Sequence, residues 1–120
     1  MGKCSALTAG ILISLVAGAG DAAERSRQAH GNADAGREFA LQACTGCHVV
    51  SSDQPFAPDL KGMPDFHTIA NRPGVTAESL RRKLAALPRV PPHGQMANPE
   101  INDVDRADVV AYILSLREKQ

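Results

Sequence analysis

Two cysteines and a histidine stand together in Cys44-Thr45-Gly46-Cys47-His48, a C-x-x-C-H run. That spacing suits the covalent tethering of a haem. Thiols at i and i+3 of a helical turn emerge on one side, so both can add to vinyl groups of one macrocycle. The next residue, His48, is then held under the iron as a neutral imidazole ligand. Three other readings compete. A C-x-x-C pair can be a thioredoxin-like redox centre, but the surrounding sequence lacks the alternating strand–helix pattern that hosts one. It can be half of a zinc site, but no second Cys/His pair stands at a suitable spacing. A disulfide between Cys44 and Cys47 is the plainest alternative.

A tethered haem raises the question of a second axial ligand. His plus Met would leave no open coordination position and would raise the potential, which is the arrangement of an electron-transfer site. Met63 lies 15 residues after His48 and Met96 lies 48 after it. The short path to Met63 is stiffened by Pro55, Pro58 and Pro64, and ordinary core packing is the expectation there. Met96 sits in a Pro/Gly-rich stretch from Pro88 to Pro99, the kind of loop that carries a side chain to a fixed point without regular structure. Met96 is therefore the expected sixth ligand, with His93 and His67 as rivals.

Helices must position these groups. A helix is expected over about Asp34 to Cys44, with Asp34 near its positive end. A short one follows Pro64 over about Asp65 to Ala70. A third starts at Thr76 as cap, stacks Leu80, Leu84 and Leu87 on one stripe, and stops before Pro88. A fourth has Asn102 as cap with Asp105 three residues on, and carries Val109, Val110, Ile113, Leu114 and Leu116 on its apolar side. Repeats, low-complexity tracts and strand-like alternation are missing from the sequence. Arg81-Arg82-Lys83 is a basic cluster that reads as a solvated helix face, or as a dock for an acidic partner.

Composition narrows the function classes. The 120 residues hold 13 Lys plus Arg and 13 Asp plus Glu, a net charge of zero, so a basic nucleic-acid binder is not expected. Three cysteines exclude a multi-disulfide scaffold. Three Phe, one Tyr and no Trp leave the chain short of large core side chains, as if something other than an amino acid filled its centre. At the start, Lys3 is followed by an apolar run from Ala6 to Ala17 and then by small residues. This is the pattern of a secretory signal peptide over residues 1–22, with cleavage after Ala19 to Ala23. The competing reading is a membrane anchor, but the run is about 12 residues and a spanning helix needs about 20. Cys4 precedes the run and would leave with the signal. Export implies the periplasm in a Gram-negative bacterium, with no stable membrane insertion after cleavage. Residues 23–33 read as a flexible polar leader, and 34–120 as the functional domain.

Five features then fall in order across Asp34 to Leu116. Gly36 and Phe39 lie on the helix before the Cys44–His48 motif, and Pro58 follows ten residues after His48. The runs Phe66 to Ala70 and Thr76 to Leu80 come next, then the Met96 loop, then Asp108 to Leu116 as a final helix. In this the chain resembles the class I c-type cytochromes, the small monohaem bacterial kind. The resemblance implies an all-α cytochrome c fold, about four short helices wrapped around one covalently bound haem c. It implies that the Pro58 carbonyl accepts the His48 N–H, and that the first and last helices cross closely where Gly36 permits it beside Tyr112. It implies a non-enzymatic electron carrier, with His48 and Met96 as axial ligands, that meets redox protein partners. Alternatives are a cytochrome subunit of a dehydrogenase or oxidase complex, or a gas-binding sensor should Met96 not hold the iron. Ala97 replaces the proline that commonly follows the ligand methionine, which leaves the loop less stiff.

Overall fold

The computed structural model describes residues 19–58, 60–92 and 95–119. The expected signal segment up to residue 18, with Cys4, lies outside the described residues, as does His93. Five helices run in order: α1 (Ala19–His30), α2 (Ala33–Ala43), α3 (Phe66–Asn71), α4 (Ala77–Ala85) and α5 (Asp103–Ser115). Among the described residues there is no strand, and no helix is long and apolar enough to cross a membrane. The all-α expectation holds.

Each core helix begins on a side chain that satisfies otherwise orphaned backbone N–H groups. Asn32 accepts from the amides of Asp34 and Ala35, at 2.9 and 3.1 Å. Asp65 accepts from Thr68 N at 2.5 Å. Thr76 and Ser79 form a reciprocal box at 3.1 and 2.9 Å. Asn102 accepts from Asp105 N at 2.9 Å. Thr76 and Asn102 are the caps the sequence suggested. Asp65, expected as the first residue of its helix, is instead its cap, and α2 starts at Ala33, one residue before the expected Asp34, with Asn32 as its cap.

α5 is the axis, and the other four helices all pack against it. Its buried side chains Val109, Val110, Tyr112 and Ile113 meet Ala40 of α2, Phe66 and Ala70 of α3, and Leu80 and Leu84 of α4 in one core cluster. The largest fully buried side chains are only valines: Val50, Val109 and Val110. The α2–α5 contact is backbone on backbone. A Cβ on Gly36 would lie 2.0 Å from the Asp108 carbonyl oxygen and 2.8 Å from Val109 N. The expected close crossing is present, one turn before Tyr112.

The expected leader departs from expectation. It is helical as far as His30, and α1 packs on α5. Its Ala, Glu, Arg and Gln residues are good helix formers, but it has no apolar stripe, and this is why its pattern suggested loose chain. Gly31 then turns the chain at φ +72°, where a Cβ would sit 2.1 Å from the Ala107 carbonyl oxygen. One residue on, Asn32 N donates to Oδ1 of the buried Asp108 at 2.6 Å. The α1–α2 corner is thus fastened to α5 by close approach and by one charge-assisted hydrogen bond.

Two outcomes follow. Gly36→Ala should lower stability by about 3 kcal/mol, since backbone rather than a mobile side chain blocks the new methyl. Gly74→Ala, strained only by its φ of +77° with open space around it, should cost about 1 kcal/mol. Comparable chemical denaturation midpoints for the two variants would contradict the crossing. Asp65 provides a pH signature. The hydrogen bond from Thr68 N is the largest influence, and with a lesser one from the Thr68 hydroxyl it outweighs desolvation and holds the carboxyl below the ordinary 3.8. Its stabilisation is therefore complete above that value and fades as pH falls through the lower folded-state value. Asp65→Asn keeps an accepting oxygen but cannot ionise. The stability gap between wild type and this variant should shrink from pH 5 to pH 2, measured by urea unfolding.

A candidate haem-attachment site

The Cys44–His48 segment continues the last turn of α2. Cys44 N donates to Ala40 O at 2.9 Å, and His48 N donates back to Cys44 O at 2.9 Å. The Thr45 hydroxyl adds a bond to Leu41 O at 3.1 Å. One helical turn therefore spaces Cys44 and Cys47, as the tethering reading requires. No disulfide joins the two residues, and Cys44 is buried while Cys47 is exposed. Burial, followed by the neighbouring Cys47, pushes the Cys44 thiol up to about 11.

His48 is buried, and its ring is fixed from two sides. Nδ1 lies 2.7 Å from the Pro64 carbonyl oxygen. A carbonyl can only accept, so Nδ1 carries the proton and Nε2 is left as the basic nitrogen, the state a metal ligand needs. The Phe66 ring packs against the imidazole at a centroid distance of 5.7 Å, and Tyr112 packs behind Phe66 at 6.2 Å. Tyr112 Oη donates to Val50 O at 2.8 Å, which ties the strand of chain after His48 to α5. Phe66 N donates to Val49 O at 2.9 Å, which ties it to α3.

The carbonyl on His48 corrects an expectation. It belongs to Pro64, not to Pro58. Pro64 immediately precedes Asp65, the cap of α3, so its position is set by the helix that also supplies Phe66. Pro58 lies six residues earlier in an irregular stretch where Phe56 and Leu60 are exposed.

A cavity of about 270 Å³ opens beside this turn, lined by Cys44, Cys47, His48, Met63, Gln95 and Met96 among others. Met96 is half-buried there. Its loop is pinned by Asn98 N on Pro88 O at 2.9 Å and Gln95 N on Pro92 O at 3.1 Å. The Asn98 side chain accepts from Glu100 N at 2.8 Å, and the next residue, Ile101, is buried in the core. A second cavity of about 360 Å³ shares Met63, Gln95 and Met96 with the first and adds Lys83, Leu87 and Pro88. Met63 corrects another expectation. It lies on the wall of both cavities at 36 % exposure rather than in the core. His67 is elsewhere. It is exposed on α3, with Nε2 3.5 Å from Glu118, and it lines a different cavity.

These residues fit a haem. Two thiols share one helical turn, a histidine has its tautomer set by a backbone carbonyl, and a thioether lies on the same cavity. Alkyl and sulfur groups dominate a wall that carries no carboxylate among the described residues. No curated protein and no solved structure matches the chain. The family model described as Cytochrome c matches residues 33–117. The match begins at the first residue of α2 and ends two residues beyond α5, leaving α1 outside it. With most of the sequence inside that match and the C-x-x-C-H turn at the mouth of its cavity, the chain belongs to the cytochrome c family, whose members bind haem c covalently and use it for electron transfer.

Proposed function

We propose that this protein is an exported, non-enzymatic one-electron carrier with His48 and Met96 as the axial ligands of its haem c. The observation that carries the proposal is the single cavity walled by Cys44, Cys47, His48 and Met96. Cys44 and Cys47 would hold the haem through thioethers, each thiol adding its S–H across one vinyl group with the hydrogen going to the adjacent carbon, which would need no oxidant. Bound there, haem c supplies a ferrous–ferric couple. His48 offers Nε2 because Pro64 holds the proton on Nδ1, and Phe66 keeps the ring from turning. Met96 offers a soft sulfur that favours the ferrous state. The apolar wall excludes water and disfavours the additional positive charge of the ferric state, which acts in the same direction. Rigid ligands keep reorganisation small between the two oxidation states.

Export is supported by the apolar run and small-residue boundary of residues 6–23, and it suits a thioether-linked haem, whose attachment is completed outside the cytoplasm. Redox partners would dock briefly over the exposed Cys47 edge, with the small interface, below roughly 1,200 Å², common to such encounters. A second reading rests on the Met96 loop. Ala97 follows the ligand, so the loop lacks the stiffening of a proline, and a sulfur that leaves the iron would expose a position for CO or NO.

The ligand pair is tested by two variants of the haem-loaded protein. Met96→Ala should abolish the red Met–iron charge-transfer band and let the ferrous form bind CO. Met63→Ala should leave the spectrum unchanged. Loss of the band in Met63→Ala alone would assign the sixth ligand to Met63, and ready CO binding by the wild type at neutral pH would favour the sensor reading.

A further inference from the structure

The basic cluster on α4 does not act as one patch. Arg82 pairs with Glu78 one turn back, its Nη1 3.4 Å from the carboxylate. Lys83 instead lines the second cavity, beside Met63, Gln95 and Met96, which also wall the first. Among the described residues lining the two adjoining cavities, Lys83 is the one amine or guanidinium. Arg89 lies nearby in sequence, but it faces Glu100 at 4.0 Å and lines neither cavity.

A haem brings two carboxylates on one edge. An ionised carboxylate at an otherwise alkyl and thioether wall must find an opposite charge or a set of donors, or else remain in water. We propose that Lys83 is the cation that receives a haem propionate in this protein, with the Gln95 amide as a neutral donor beside it. The inference rests on the haem reading above and adds the orientation of the group within the site: its propionate edge faces the C-terminal end of α4. That end of the helix already favours a cation through its dipole, so Lys83 is held where it is needed without distortion. Its long alkyl stem can lie along Leu87 and Pro88 while the ammonium reaches the cavity mouth. Lys83 is in this sense a positioning residue. It neutralises a negative charge close to the iron and so disfavours the ferric state.

The experiment uses the full-length haem-loaded protein. In the ferrous wild type, proton NMR should show nuclear Overhauser contacts between the Lys83 side-chain methylenes and a propionate methylene. At a fixed ambient potential, Lys83→Gln should raise the ferric-to-ferrous ratio at least threefold. Lys83→Arg should restore it to within twofold of wild type, and Lys61→Gln, a charge loss off both cavities, should change it less than twofold. Absence of the Overhauser contacts, or equal ratios in Lys83→Gln and Lys61→Gln, overturns the assignment. Failure of the haem reading itself looks different. A pyridine haemochrome of one haem per chain in every variant leaves that reading intact even if Lys83 has no part, whereas a colourless protein removes both.

Discussion

The contact of α2 with α5 at Gly36 is the constraint on which the rest of the molecule depends. Because no side chain separates the two backbones there, the helices lie close enough for one to position what the other needs. α2 ends in the Cys44–His48 turn. α5 carries Tyr112 one turn beyond the crossing, and its hydroxyl holds Val50 just after His48. Phe66 fills the gap between Tyr112 and the imidazole. The orientation of a single ring is therefore settled by a run of contacts that starts at a glycine twelve residues earlier.

That arrangement also explains the shortage of large side chains. A core whose largest fully buried side chains are three valines gains only about 1.5–2 kcal/mol from each of them. Below it lies a space walled by cysteine, histidine and methionine rather than by leucine and phenylalanine. Such a wall packs poorly against itself and well against a flat, polarisable group with iron at its centre.

The helix starts were legible because capping is local chemistry. Thr76 and Asn102 each satisfy an amide three residues on, and a sequence displays that spacing directly. Leu80, Leu84, Val109, Val110 and Ile113 were legible as core because helical periodicity repeats over several turns. The loops were not. Whether Pro58 or Pro64 reaches His48 depends on the path of an irregular segment, and no repeat records it. Met63 was assigned to the core because its path from His48 is short and stiffened by prolines, yet it lies on the cavity wall. α1 was hidden because its residues favour a helix without marking a face, so only its neighbour α5 reveals that it packs.

By itself the sequence determined the cofactor chemistry and the local elements. Cys44, Cys47 and His48 are contiguous, so one turn of helix is enough to bring them together. The tertiary structure alone decided which distant groups join them: Pro64 on the imidazole, Met96 and Met63 on one cavity, and Lys83 at its edge while Arg82 turns to Glu78. Those choices belong to the packing of α3 and α4 on α5, because bringing residues together across 15 to 50 positions of chain takes a fixed crossing of helices rather than any preference carried by the residues themselves.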